Sequence, residues 1–223
     1  MPSCLYLLKT NLEALILISI VDYGMGNLQS VQNGFARMGY KTFVTDRPEE
    51  IARAKGIILP GVGAFGQAVL NLKEKGLGEA VKKRAGEGVP LLGICLGLQL
   101  LLESSQESSE EKGGGLGLVP GKVIKFQGNL KIPHMGWNSL KIVKEDPLLK
   151  GIKNGDYFYF VHSYYARPED GRKVLAMVEY GKDVAVVVRG EPLIYGVQFH
   201  PEKSSEKGLK ILANFGELVE KWK

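Results

Sequence analysis

The first half of the chain is built from apolar runs of strand length separated by glycine-marked turns. Leu15-Ile16-Leu17-Ile18-Ser19-Ile20-Val21 has no polar face and suits a strand covered on both sides. Tyr40 to Thr45 and Gly56-Ile57-Ile58-Leu59-Pro60 repeat the pattern, and Val89-Pro90-Leu91-Leu92-Gly93-Ile94 repeats it again just before Cys95. Helical patterns lie between them. One runs from the Asp22–Asn27 loop to about Met38 and is ended by Gly39. A short one is opened by Pro48, and others fill the chain up to about Gly88. Buried strands alternating with helices predict an α/β fold with a mostly parallel central sheet flanked by helices.

The second half changes character. Strand patterns dominate at Lys122–Phe126, Ser139–Val143, Tyr157–Val161, Val174–Tyr180, Val184–Arg189 and Leu193–Phe199, and a helix from about Ser205 to Trp222 closes the chain. Some of these strands are expected to form a smaller antiparallel annex and others to rejoin the main sheet. Ser104 to Gly117 is polar and glycine-rich, the best candidate for a mobile connection. Residues 15–223 read as a single domain, and residues 1–14 as an N-terminal extension of unassigned role.

Composition narrows the function classes. A chain of 223 residues buries about 70% of its unfolded surface and needs no covalent staples. Cys4 and Cys95 are the two cysteines, so a disulfide framework is not expected and a reducing, cytoplasmic setting is. The run from Leu15 to Val21 is too short to span a membrane and lacks the basic flank of a signal peptide. The net charge of +5 is scattered, with one cluster at Lys82-Lys83-Arg84, and no basic stripe with interleaved aromatics points to nucleic acid. No histidine pair has ligand spacing and no acidic run resembles a cation loop, so neither metal nor cofactor is expected.

Candidate chemistry centres on Cys95. In Gly93-Ile94-Cys95-Leu96-Gly97 a buried strand meets a helical pattern through a nucleophile-capable residue between glycines, the sequence form of a nucleophile elbow. The turn is tight, which demands small flanking residues, and it frees the N–H of Leu96 to point at a substrate oxygen. A thiol also needs a base. His200 ends an apolar strand in Val197-Gln198-Phe199-His200-Pro201-Glu202-Lys203. Pro201 fixes the intervening backbone, so the Glu202 carboxylate can reach the imidazole and set its tautomer. Nucleophile, base and orienting carboxylate are then Cys95, His200 and Glu202. Pro60-Gly61-Val62-Gly63 supplies backbone N–H groups that can converge on an oxyanion. The same loop matches G-x-G-x-x-G through Gly66. It follows the third strand rather than the first, and a basic cluster stands where an acid belongs, which argues against a dinucleotide site.

Taken together, Gly93-Ile94-Cys95-Leu96-Gly97-Leu98-Gln99, Pro60-Gly61-Val62-Gly63 and His200-Pro201-Glu202 resemble the class I (triad) glutamine amidotransferases. Four further stretches are similar to the glutaminase subunits of imidazole glycerol phosphate synthases: Asp22–Asn27, Pro133–Asn138, Phe160–Tyr164 and His200–Ser205. The resemblance runs from about Leu15 to the C-terminus; the N-terminal extension is outside it. It implies that Cys95 attacks the side-chain amide of L-glutamine, that His200 handles protons and that Glu202 holds His200. It places the oxyanion on N–H groups of Leu96 and of the Val62–Gly63 segment. It assigns Gln99, Glu107, His162, Ser163 and Tyr164 to the glutamine, with Glu107 facing its ammonium group. It puts Asn27, His134, Met135, Trp137, Asn138 and Lys203 at an interface with a (β/α)-barrel cyclase partner in a heterodimer, to which ammonia would pass in histidine biosynthesis.

Three other readings are separable by experiment. Another triad amidotransferase, such as the glutaminase of anthranilate or pyridoxal phosphate synthase, would lack the Pro133–Asn138 and His200–Ser205 runs. A stand-alone cysteine hydrolase would turn over peptides without a partner. A non-catalytic nucleic-acid-binding domain would show salt-dependent binding and no thiol labelled by a glutamine-like electrophile.

Overall fold

A computed structural model describes residues 18–108 and 113–222. The N-terminal extension, Cys4, the start of the first strand and residues 109–112 lie outside the described residues.

The first half follows the expected alternation. Strands β1 (Ile18–Val21), β2 (Thr42–Thr45), β3 (Gly56–Leu59) and β4 (Leu91–Ile94) are interleaved with helices α1 (Leu28–Arg37), α2 (Pro48–Ile51), α3 (Phe65–Glu74) and α4 (Leu77–Gly86). Strand two starts at Thr42 rather than at Tyr40. Gly39 adopts φ +85°, Gly39 N–H donates to Ala36 O and Tyr40 N–H to Phe35 O, both at 3.0 Å. This is a Schellman ending, so Tyr40 closes the helix before the strand begins. Cys95 separates β4 from α5 (Leu96–Leu100).

The second half contains β5 (Ser104–Ser105), β6 (Gly121–Lys125), β7 (His134–Ser139), β8 (Lys141–Ile142), β9 (Tyr157–His162), β10 (Tyr164–Pro168), β11 (Val174–Glu179), β12 (Asp183–Gly190), β13 (Ile194–Val197) and the closing helix α6 (Ser205–Lys221). The main sheet runs β2-β1-β3-β4-β13-β12-β10-β6-β5, with β11 pairing β12 and β8. From β2 to β13 neighbouring strands are parallel, and beyond β13 the pairs β12, β10 and β6 are antiparallel. A separate antiparallel ribbon joins β7 and β9. Both parts of the annex expectation therefore hold: β13 rejoins the parallel sheet, and the others extend it or leave it.

Two elements escape the sequence pattern. His134–Asn138 reads as a polar loop but forms most of β7, because pairing with the aromatic-rich β9 overrides the weak strand preference of His, Gly and Asn. Strand β10 follows β9 after a single residue and carries Arg167-Pro168 at its end, so no alternating run announces it. The polar connection is also tied down where it is described. Gln106 N–H donates to Val123 O at 2.9 Å and Leu116 N–H to Leu100 O at 2.7 Å.

Alternate side chains of the parallel strands feed two cores. Ile18, Ile20, Ile58, Leu92 and Ile94 pack with Phe35, Ile211, Leu212 and Phe215 of α1 and α6. Ile57, Leu59 and Leu91 pack with Phe65, Leu72, Leu77 and Val81 of α3 and α4. Each fully buried Leu, Ile or Phe contributes about 1.5–3 kcal/mol, which holds both helical layers on the sheet. The carboxyl ends of β3, β4 and β13 are thereby set side by side, the position at which parallel α/β sheets bind ligands.

Candidate active site

Cys95 has the strained backbone of an elbow, φ 56° and ψ −105°. A non-glycine residue in this region persists only where the surroundings over-determine it. The flanking glycines show how. A Cβ on Gly97 would stand 1.7 Å from Leu59 O, and one on Gly93 would stand 2.6 Å from Gly97 O. The strand, the turn and the start of α5 thus approach too closely for any side chain. Cys95 is 6% exposed and lines a cavity of about 290 Å³ together with Val62, Gly63, Gln99, Glu107, His162 and His200.

The base arrives through strand register. Val197 of β13 pairs with Ile94 of β4, and Cys95 N–H donates to Val197 O at 2.8 Å. Three residues further on, His200 reaches the cavity. Its backbone is clamped: its N–H donates to Tyr159 O at 3.0 Å and its carbonyl accepts from Ser204 Oγ at 2.6 Å. A short 3₁₀ turn over Pro201–Lys203 then swings Glu202 back, and His200 Nδ1 lies 2.8 Å from Glu202 Oε1, with both side chains almost fully buried. Nε2 makes no hydrogen bond of good geometry among the described residues. Burial opposes charge on this ring, but interaction with Cys95 and then with Glu202 outweighs it and pushes His200 up to about 10. A ring held in this way can give and take a proton inside the cavity that Cys95 lines.

The glycine loop lies across the elbow. Gly63 has φ +102°, and a Cβ on Gly61 would fall 2.1 Å from Tyr23 Oη, which donates to Pro60 O at 2.7 Å. In this conformation Leu96 N–H donates to Gly61 O at 3.3 Å. The N–H expected to face an oxyanion is therefore engaged by a loop carbonyl, at a distance long for such a bond. Glu107 stands at the far end of the loop, where its Oε2 accepts from Phe65 N–H at 2.9 Å at the start of α3. The carboxylate caps a helix that has no other side-chain cap, and it lines the cavity as well.

A buried polar network backs the cavity. Gln99, 5% exposed, donates from Nε2 to Tyr164 O at 3.0 Å and to Gln198 Oε1 at 3.3 Å. Gln198 Nε2 donates to Cys95 Sγ at 3.7 Å. Tyr164 O also lies 2.8 Å from His162 Nδ1, and His162 Nε2 lies 3.0 Å from His134 Nδ1. A carbonyl only accepts, so His162 carries its proton on Nδ1, and His134 Nδ1–H must donate to the remaining nitrogen of His162. Asn138 Nδ2 completes the line at 3.2 Å from His134 Nε2. Burial, the main cause for both, holds the two rings neutral, His134 at about 4 and His162 at about 3. Sequence reasoning passed over Gln198, although an amide inside an apolar strand is itself a signal, because a buried polar group needs partners.

The expected interface residues divide. Met135 and Trp137 are 60% and 53% exposed, and Asn27 and Lys203 are exposed as well. Asn27 Oδ1 also caps α1 through Ser30 N–H at 3.3 Å. His134 and Asn138 face the opposite way from Met135 and Trp137. Successive residues of β7 face opposite ways, so His134 is buried against His162 and Asn138 turns toward it. Ser163 and Tyr164 line the cavity as expected, and Tyr164 O is occupied by the network rather than free.

Known proteins resemble this chain along most of its length. The family model for glutamine amidotransferase class-I matches residues 19–218. The imidazole glycerol phosphate synthase subunit HisH of Moorella thermoacetica is 53% identical over 203 residues, covering 91% of this chain and 95% of that protein. The protein of the same description from Caldanaerobacter subterraneus subsp. tengcongensis is 48% identical, covering 91% of this chain and 98% of its own length. Among solved structures, a glutamine amidotransferase crystal structure superposes with a TM-score of 0.71 at 21% identity, covering 91% of this chain and 98% of that one. The structure of PurLQS from Thermotoga maritima also gives 0.71, at 18% identity and with the same coverage of each chain. A class-I amidotransferase domain across nearly all the described residues, with relatives near half identity end to end, means that this chain belongs to the class-I glutamine amidotransferase family and, within it, to the HisH subunits of imidazole glycerol phosphate synthase.

Proposed function

We propose that residues 15–223 act as one amidotransferase domain that hydrolyses L-glutamine to L-glutamate and ammonia and passes the ammonia to a (β/α)-barrel cyclase partner in histidine biosynthesis. The observation that carries the reading is Cys95 at an elbow, in the same cavity as an imidazole held by a buried carboxylate.

The chemistry follows from charge. Cys95 Sγ adds to the side-chain amide carbon of glutamine, and the carbonyl oxygen takes up negative charge. Leu96 N–H and an N–H of the Val62–Gly63 segment stabilise that oxygen once the loop turns Gly61 O away. The C–N bond breaks as His200 gives its proton to the departing nitrogen, releasing ammonia and leaving a thioester. While the sulfur is charged it supports the charged ring; in the thioester that support is gone, and the neutral ring is free to take a proton from water. Water adds, the C–S bond breaks, and glutamate leaves. Gln99, Glu107 and the backbone of His162, Ser163 and Tyr164 hold the substrate, and Glu107 receives its ammonium group.

Engagement of Leu96 N–H by Gly61 O favours low activity in the isolated subunit and a rise when a partner moves the loop. Exposed Met135 and Trp137, with Asn27 and Lys203, form the surface for that partner. The test is glutamate release from glutamine by the chain alone and with a co-purified barrel cyclase. Cys95→Ala is expected to abolish release in a folded protein. Retained turnover in Cys95→Ala, or hydrolysis of peptides in place of glutamine, would overturn the reading.

A further inference from the structure

Gln198 is completely buried, one residue beyond β13, and its side-chain amide is engaged at both ends. The orientation of that amide is dictated from outside it. Tyr164 O can only accept, so Gln99 must turn its nitrogen toward that carbonyl, at 3.0 Å. The same nitrogen lies 3.3 Å from Gln198, which must therefore present its oxygen there. The Gln198 nitrogen is then left to face Cys95 Sγ at 3.7 Å. The opposite rotamer would set two nitrogens together on one side and a carbonyl oxygen against the sulfur on the other. His162 Nδ1–H, also on Tyr164 O at 2.8 Å, pins the carbonyl that serves as the reference for the whole chain of bonds.

We propose that Gln198 is the sulfur-facing donor of this site: its Nε2–H aims Cys95 Sγ into the cavity and stabilises it as a thiolate, and Gln99 is the positioning residue that locks the amide in that sense. The inference rests on the reading of Cys95 as the nucleophile. Hydrogen bonds to charged groups are stronger than neutral ones, so loss of this donor is felt most by the ionised sulfur. The titratable groups facing the sulfur are His200 with Glu202 behind it, His162 from β9, Tyr23 from the loop after β1, and Glu107 across the cavity. None of them changes in a Gln198 variant, so a displaced pH profile belongs to the amide.

Gln198→Met keeps the length and removes both polar ends. Alkylation of Cys95 by iodoacetamide, followed on its own peptide by mass spectrometry, is expected to slow about tenfold at neutral pH and to reach its plateau at higher pH. The value of kcat is expected to fall more than KM rises. A folded Gln198→Met protein whose alkylation profile superimposes on the wild type overturns the proposal. The wild-type chain supplies a second measurement that needs no variant: the side-chain amide resonances of Gln198 should move on alkylation of Cys95, and resonances that stay in place overturn it equally. Turnover retained in Cys95→Ala would remove the nucleophile reading together with this one. Loss of turnover in Cys95→Ala with an unchanged Gln198→Met profile would remove this one alone.

Discussion

His200 and Glu202 meet at 2.8 Å through Nδ1 and Oε1, from either side of a single proline, with both side chains almost fully buried. The pair is local in sequence, yet it works only because the Ser204 hydroxyl and Tyr159 O clamp the His200 backbone in place. Glu202→Gln keeps the shape and removes the charge. It is expected to lower kcat by about 10²–10⁴-fold, as loss of an orienting carboxylate does elsewhere. It also flattens a stability profile. The ring is raised from 6.5 to about 10 on folding, so its contribution is fully present below 6.5 and is lost as pH rises through 10. Urea unfolding across that interval is expected to show a shallower alkaline decline in Glu202→Gln than in the wild type.

Two buried rings act in the opposite sense. His134 and His162 are lowered from 6.5 to about 4 and about 3. The unfolded chain takes up protons below 6.5 and the folded chain does not, so their contribution is complete above 6.5 and is lost as pH falls through the folded values. His134→Asn is expected to weaken the acid-side loss of stability in the same urea series. An identical acid slope in both proteins would count against the fixed-tautomer network.

Glu107 serves two neighbours with one carboxylate. Glu107→Gln retains an oxygen for Phe65 N–H and loses the charge that suits an ammonium group. KM for glutamine is expected to rise about tenfold, with stability unchanged within about 0.5 kcal/mol. Glu107→Ala is expected to raise KM similarly and to cost a further ~1 kcal/mol in urea unfolding, because the start of α3 loses its cap.

Gly97 tests the elbow. Its missing Cβ would sit 1.7 Å from Leu59 O, a backbone atom that cannot swing aside. Gly97→Ala is expected to destabilise the fold by at least about 2 kcal/mol, or to leave the chain insoluble. Gly86→Ala is the control, since a Cβ there meets nothing within 4 Å.

Trp137 tests the surface. At 53% exposure it contributes little to the isolated chain, so Trp137→Ala is expected to change stability by less than about 0.5 kcal/mol. Binding of the barrel partner, measured by titration calorimetry, is expected to weaken by about 2 kcal/mol. Undiminished affinity would place the interface elsewhere.

Read alone, the residues around Cys95 and His200 determined a great deal, because short-range sterics are written in adjacent positions. Glycines at 93 and 97 permit a close-packed turn, and Pro201 narrows the backbone so that Glu202 can fold back toward His200. The apolar runs before position 95 made the parallel, doubly covered sheet legible, since strands with no polar face need two layers of helices. Pairing across the chain was decided by the tertiary structure. Only the register of Val197 on Ile94 brings the sulfur of Cys95 and the imidazole of His200 to one cavity from distant parts of the chain. Only the pairing of β7 with β9 turned His134 inward and left Trp137 outside. The physical reason is the same in each case: side-chain identity sets what a segment can bury, whereas the partner strand sets which atoms it meets.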